Sequence, residues 1–246
     1  MHKFTDPSQL TIGTFLGMGA PMAAEIAAVS GVDWVLVDLE HGGAGEDVVG
    51  PTVVAGMAYG IPTLVRVESS ERIRIGRALD AGAIGVMIPR IETPEQVSAV
   101  VKHMSYPPFG DRGVATYNRS AKWGRDLSGL TQKAKAACII QIETLKALEN
   151  VEAIAAIDGV DLLFVGPLDL SFALGVPRDF KNAIFIEACS KVIGAAKANS
   201  KVAGILAADT AAASAYIELG FKFIAIGSDA TLLAGAITNL VTQLKK

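Results

Sequence analysis

The chain of 246 residues is 51% apolar and 19% charged, and its formal charge is −3. With 22 Lys and Arg against 25 Asp and Glu it has no basic surplus to match a phosphate backbone, so nucleic acid is not an expected partner. At about 150 residues per domain the length allows little more than one, and a parallel α/β barrel uses about 250 residues as a single unit; one domain over residues 1–246 is expected.

The chain opens Met1-His2-Lys3-Phe4-Thr5-Asp6, without the positive-then-apolar order of an export signal. Cys138 and Cys189 stand far apart and form neither a disulfide framework nor a metal motif. A reduced, cytoplasmic protein is therefore expected. Two uncharged runs, residues 7–24 and 48–65, are broken by Pro and Gly and read as buried strands and helices, so no membrane contact is expected.

Eight short runs rich in β-branched residues follow one another at residues 12–16, 34–38, 63–67, 85–89, 139–143, 162–166, 203–206 and 223–227, with Ala-rich helical stretches between them. Most are apolar throughout, as in parallel strands covered on both faces. The pattern predicts an α/β fold, a (β/α)8 TIM barrel, with an open doubly wound sheet as the alternative. A glycine recurs where a helix should end and the next strand begin, at Gly31, Gly60, Gly82, Gly159 and Gly220. Thr93-Pro94-Glu95-Gln96 spells a capping box that starts a helix. One segment breaks the repeat: residues 106–125, rich in Gly, Pro, Arg and aromatics, read as a long strand-to-helix type of insertion, and long ordered loops are more often functional or intersubunit than idle.

In such a barrel the chemistry sits at the C-terminal strand ends. Those ends carry Asp38, Glu40 and His41, then Arg66, Arg90, Gln141 and Glu143, then Asp169, then Ser228 and Asp229. Gln141 and Glu143 are two apart on one strand and project to the same face. With Asp169 on the next strand end they offer hard oxygen ligands suited to Mg2+ or Mn2+; equally, Glu143 and Asp169 could cap the helices that follow. His41 suits proton transfer near neutral pH, or is a structural histidine bonded to Asp38 or Glu40. Arg66, costly on an apolar strand unless paired, serves a substrate oxyanion or a structural ion pair. No strand end carries the lysine of a Schiff-base enzyme, and neither a Gly-x-Ser-x-Gly elbow nor a phosphate loop occurs. Metal-assisted chemistry on a carboxylate- or carbonyl-bearing substrate remains.

In chain order, Asp38-Leu39-Glu40-His41-Gly42, Leu64-Val65-Arg66-Val67, Tyr106-Pro107-Pro108-Phe109-Gly110-Asp111-Arg112-Gly113, Gln141-Ile142-Glu143-Thr144 and Phe164-Val165-Gly166-Pro167-Leu168-Asp169-Leu170-Ser171 closely resemble the HpcH/HpaI aldolase family of metal-dependent pyruvate aldolases. The resemblance runs from about residue 12 to residue 244. It implies a TIM barrel whose last helix is exchanged with a neighbour, in a homohexamer built as a trimer of dimers. By position, Glu143 and Asp169 resemble the ligands of a divalent ion, Mg2+ or Mn2+ first, with Co2+ and Zn2+ open. His41 resembles the acid/base group, Arg66 the oxyanion partner and Gln141 a water-holding group. Backbone around Gly166, Pro167 and Leu168 resembles the pyruvate carboxylate cradle, with Leu206 also at the substrate. Asp38 resembles the residue that orients His41, with Asp80 of the partner subunit as a second candidate.

Phe15 stands where some members have Trp, and the segment between Arg112 and Trp123 is slightly shorter than in other members. Both places bear on the choice of aldehyde. Arg119 is there either a clamp for an acceptor carboxylate or an interface residue. The activity implied is reversible aldol cleavage of a 4-hydroxy-2-oxo acid to pyruvate and an aldehyde, in aromatic or sugar-acid catabolism. Succinate semialdehyde, tartronate semialdehyde and lactaldehyde are all open as that aldehyde. The alternatives are oxaloacetate decarboxylation at the same site and a non-catalytic barrel that binds a carboxylate.

Overall fold

The computed structural model describes residues 2–131 and 136–245. Eight parallel strands, β1 (Thr11–Leu16), β2 (Trp34–Asp38), β3 (Thr63–Arg66), β4 (Gly85–Ile88), β5 (Ala137–Ile142), β6 (Leu162–Val165), β7 (Val202–Ala207) and β8 (Phe223–Ser228), pair in chain order. β1 also pairs with β8, which closes the barrel and excludes the open sheet. The predicted strands are all present, their ends moved by a residue or two. The helices are α1 (Met22–Val29), α2 (Val49–Ala58), α3 (Arg72–Asp80), α4 (Pro94–Met104), α5 (Leu145–Glu149), α6 (Val151–Ala155), α7 (Pro167–Ala173), α8 (Ala183–Ala198), α9 (Thr210–Leu219) and α10 (Asp229–Leu244). No helix among the described residues is long and apolar enough to cross a membrane.

Local chemistry sets the joints. Gly31, Gly60, Gly82, Gly159 and Gly220 all take positive φ, between 72° and 124°, a region that costs a side chain and lets each helix turn back toward the next strand. Thr93 accepts the Gln96 N–H and the Gln96 side chain returns to the backbone of Thr93, so α4 starts where its capping box predicts.

Alternate residues of each strand point into the barrel. The lower interior is apolar: Trp34 and Leu36 from β2, Leu64 from β3, Met87 from β4, Ala137 and Ile139 from β5, Leu162 and Phe164 from β6, Phe223 from β8. Trp34 stacks on Phe223 with ring centroids 3.9 Å apart, and Phe4 plugs the end beneath them, 6.1 Å from Phe223. The opposite parity, including Val37, Val65, Ile140 and Leu163, joins the layer between strands and helices.

Two features depart from the repeat. The 106–125 segment follows α4 and precedes β5, so it is a helix-to-strand connection at the end of the barrel where strands begin, and not the strand-to-helix insertion read from the sequence. Composition marks a long loop but does not reveal which end of the barrel it leaves. The other feature is α10, in which no residue is buried. Leu233, Ile237, Leu240 and Leu244 form an exposed apolar stripe at helical spacing along it.

Gly13 lies so close to the Trp34 ring that a Cβ there would sit 2.1 Å from it, and the ring is wedged against Phe223. Gly13→Ala is expected to cost about 3 kcal/mol or more through overpacking, read as a lower urea midpoint with unchanged slope; an unchanged midpoint would show that the interior can yield.

Candidate active site

The inward parity that is apolar below becomes polar at the C-terminal rim. Above Leu36 stands Asp38, above Leu64 stands Arg66, and above Ile139 stand Gln141 and then Glu143. Asp38 and Arg66 are direct partners in the β2–β3 register. The guanidinium meets the carboxylate with two bonds, Arg66 Nε to Asp38 Oδ1 at 2.9 Å and Nη2 to Oδ2 at 2.7 Å. Both groups are buried. Burial alone would push the Asp38 carboxyl up, but the Arg66 hydrogen bonds and charge, with the N–H groups of His41 and Glu40, hold it below the usual carboxylate range. The Phe15 ring covers the guanidinium, 5.1 Å from Cζ, and packs 5.9 Å from Phe164. Leu206 packs against the same interior cluster.

From Arg66 the polar contacts continue across the mouth. Nη1 reaches Gln141 Oε1 at 3.5 Å, and Gln141 Nε2 donates to Glu143 Oε2 in a short hydrogen bond. Glu143, only 3% exposed, has its other oxygen on the Arg90 backbone N–H at 2.8 Å. Arg90 takes φ 56° to present that N–H, an uncommon conformation for a residue with a side chain, and its role is not visible from residue type. Gly166 closes the other side: a Cβ there would lie 2.8 Å from Glu143 Oε2 and 3.0 Å from Gln141 Nε2.

The capping reading of Glu143 fails, because the side chain that caps α5 belongs to Thr144. Asp169 lies in the first turn of α7 behind the N-cap Gly166 and Pro167; it is exposed, and it makes no hydrogen bond or ion pair with a described residue. The Gly166 N–H is already given to Ile142 O at 3.2 Å and is therefore not a free donor, in contrast to the sequence reading. Leu168 N–H, in the first turn, has no acceptor within its own helix.

The His41 side chain is 69% exposed, in contrast to the buried Asp38, Arg66, Gln141 and Glu143. Asp38 does not hold the ring. Its Oδ1 accepts the backbone N–H groups of His41 at 3.2 Å and Glu40 at 3.1 Å, so it shapes the turn and not the imidazole. The carboxylate nearest the ring is Glu40, Oε2 3.8 Å from Nε2, and the same oxygen lies 3.2 Å from Arg66 Nη1. Burial first, then the charges of Glu143 and Asp38, outweigh Arg66 and raise the Glu40 carboxyl above its usual range. The sequence reading gave Glu40 no role in the chemistry; its place between Asp38 and His41 in one tight turn was the signal available.

Asp80 and Arg119 do not join this cluster within the chain. Asp80 ends α3 and pairs with Arg112, whose guanidinium stacks on Tyr106 at 4.5 Å. Arg119 lies over Trp123 and lines a cavity of about 570 Å3 with Tyr106 and Arg112 at the end where β4 and β5 begin. Both therefore stand at the opposite end of the barrel from Glu143.

A family model described as HpcH/HpaI aldolase/citrate lyase matches residues 11–236. A hydroxypyruvate/pyruvate aldolase of Paraburkholderia phytofirmans is 38% identical across 99% of this chain and 95% of its own length. A 5-keto-4-deoxy-D-glucarate aldolase of Klebsiella pneumoniae is 35% identical, over 97% of this chain and 93% of its own. The crystal structure of an HpcH/HpaI aldolase/citrate lyase family protein from Burkholderia cenocepacia superposes with a TM-score of 0.93 at 36% identity, covering 99% of this chain and 98% of that one.

Removing one member of a buried ion pair strands the other. Asp38→Asn is expected to cost about 3–5 kcal/mol at neutral pH. Because the folded-state pKa of Asp38 is depressed, its contribution is complete above the ordinary carboxylate pKa, about 3.9, and is lost as pH falls through the lower folded value. The gap between wild type and variant should therefore close in acid; a pH-independent gap in unfolding free energy would contradict the assignment.

Proposed function

The chain belongs to the HpcH/HpaI aldolase/citrate lyase family, and from that premise we propose that it splits a 4-hydroxy-2-oxo acid reversibly into pyruvate and a short hydroxyaldehyde, aided by a divalent cation on Glu143 and Asp169. It is an aldolase, a carbon–carbon lyase. The observation that carries the finer reading is the buried line Asp38–Arg66–Gln141–Glu143 across the barrel mouth.

The residues fit a hard cation. Glu143 is fixed by Arg90 N–H and Gln141 Nε2 yet keeps lone pairs on both oxygens, and Asp169 is uncommitted. Asp38, Glu40 and Glu143 outnumber the guanidinium of Arg66 in the cluster, so positive charge is wanted there. Among the described residues no three His, Cys, Asp or Glu side chains converge as a closed cage. Two carboxylates that leave positions to water and substrate suit Mg2+ or Mn2+ first, with Co2+ and Zn2+ as replacements. The ion, when bound, supplies Lewis-acid polarisation of the substrate's keto group.

The chain's own groups do the rest. Arg66, held rigid by Asp38, uses Nη1 to stabilise the negative charge that grows on the keto oxygen. The Leu168 N–H serves the substrate carboxylate, and Phe15, Phe164 and Leu206 wall the reacting carbons off from water. His41 takes the 4-hydroxyl proton through a water as the C3–C4 bond breaks and its electron pair passes to C3. The aldehyde leaves, and C3 is then protonated to give pyruvate. The likeness to an aldolase named for a keto-deoxy sugar acid supports a short hydroxyaldehyde from sugar-acid breakdown as the second product.

A second copy of the chain completes the assembly in this reading. The apolar stripe of α10 has no cover in its own chain, and an exchange of α10 between neighbours would bury it, in a hexamer of three dimers. Only another copy could bring Asp80 or Arg119 to a mouth. Small keto acids as substrates and two buried, free cysteines fit a cytoplasmic enzyme.

Pyruvate methyl protons should exchange with deuterated solvent in a reaction abolished by chelation and restored by Mn2+ or Mg2+. Arg66→Ala should slow turnover by about 10²–10³-fold, and Glu143→Ala at least as much. A Glu143→Ala protein that exchanged those protons at the wild-type rate would remove Glu143 from the mechanism.

A further inference from the structure

One cation at the C-terminal rim is left over when the buried line is complete. Arg90 follows β4, and at φ 56° its backbone N–H lies 2.8 Å from Glu143 Oε1. A glycine would deliver that N–H from the same backbone conformation without the cost a side chain carries there. The bond to Glu143 therefore accounts for the backbone of this residue and not for its guanidinium. The Arg90 side chain is exposed and makes no hydrogen bond or ion pair with a described residue, although the Glu143 carboxylate meets its own backbone. Arg66 cannot serve in its stead, because Asp38 takes two of the three nitrogens of that guanidinium.

We propose that Arg90 is a specificity-determining residue: its guanidinium receives a carboxylate at the far end of the aldehyde half, so that the preferred substrate is a 4-hydroxy-2-oxo diacid. In the proposed reaction the Leu168 N–H, beyond β6, serves the carboxylate beside the keto group, and Arg66 on β3 serves the keto oxygen. The remaining carbons then extend over the rim on the side where His41 follows β2 and Arg90 follows β4. An anionic end placed there faces the carboxylates of Asp38, Glu40 and Glu143, and a free positive charge offsets their repulsion. A planar guanidinium suits the task, since it can meet a carboxylate with two parallel hydrogen bonds. Arg90 thus joins two functions in one residue. Its backbone steadies Glu143, and its side chain reads the end of the substrate that differs from one 4-hydroxy-2-oxo acid to another.

This inference rests on the proposed aldol cleavage, and one ratio tests it: kcat/KM for a 4-hydroxy-2-oxo acid ending in a carboxylate, over that for an analogue of equal length ending in a hydroxymethyl group. Both are measured on one preparation, so the ratio does not depend on how much of a variant is folded. Wild type should prefer the diacid. In Arg90→Gln and Arg90→Gly the ratio should fall about ten- to hundredfold, chiefly through a higher KM for the diacid. Arg90→Lys, which keeps the charge without the fork, should retain part of the preference. Arg90→Gly separates this role from a backbone one, since it leaves the N–H on Glu143. Rising salt should narrow the wild-type preference and leave the ratio of Arg90→Gly unmoved. A wild-type ratio in Arg90→Gly and Arg90→Gln, or a wild-type enzyme indifferent to the second carboxylate, would overturn the inference and leave the aldol reaction standing. A protein that cleaves neither acid would overturn the reaction and the inference with it.

Discussion

A guanidinium buried inside a barrel is stable only if its charge is answered on the spot. Here the answer comes from the neighbouring strand at the same level, where Asp38 is the register partner of Arg66 and meets it with two hydrogen bonds. The pair has consequences in both directions along the chain. Asp38 uses its remaining capacity to bind the N–H groups of Glu40 and His41, so the turn after β2 is shaped by the same carboxylate that fixes the arginine. Arg66 in turn leaves only Nη1 for the mouth, where Gln141 and Glu40 flank it. One ion pair therefore decides where the site's positive charge is, how it is aimed and how the turn that carries its histidine is folded.

Below that level the barrel is a dry stack of rings and aliphatic chains, with Trp34 on Phe223 and Phe4 beneath. This packing is rigid for a physical reason: its space is filled so closely that glycine is required at Gly13. Rigidity there holds the rim. Glu143 is fixed from three sides, by a side-chain amide, by a backbone N–H from β4's end and by the bare Cα of Gly166. A carboxylate held in this way cannot swing out to water, and it presents lone pairs in constant directions, which is what a metal ligand or an electrostatic anchor needs.

The two ends of the barrel have separate characters. The C-terminal rim carries the acidic cluster around Arg66. At the opposite end Asp80, Arg112, Tyr106, Arg119 and Trp123 form a second polar and aromatic group around a cavity. Within one chain these groups cannot meet. Along α10 a third kind of surface is exposed, the apolar stripe of Leu233, Ile237, Leu240 and Leu244.

Much of this was legible from residue order. Parallel strands covered on both faces must be apolar throughout, so their number and places could be read directly; the glycines at Gly31, Gly60, Gly82, Gly159 and Gly220 had to mark turns because only they accept positive φ without penalty; and the period of two put Gln141 and Glu143 on one face. Closure of the sheet, the end of the barrel from which residues 106–125 emerge, and the choice of Asp38 as the carboxylate that meets Arg66 with two hydrogen bonds were settled only in three dimensions. Each depends on contacts between segments far apart in the chain, or on a backbone angle such as that of Arg90, and neither leaves a mark on local composition. Sequence by itself determined which chemical groups reach the barrel's rim, because periodicity is a local property; the tertiary structure decided which of them touch, because hydrogen bonds are made across space and each lone pair can be spent only once.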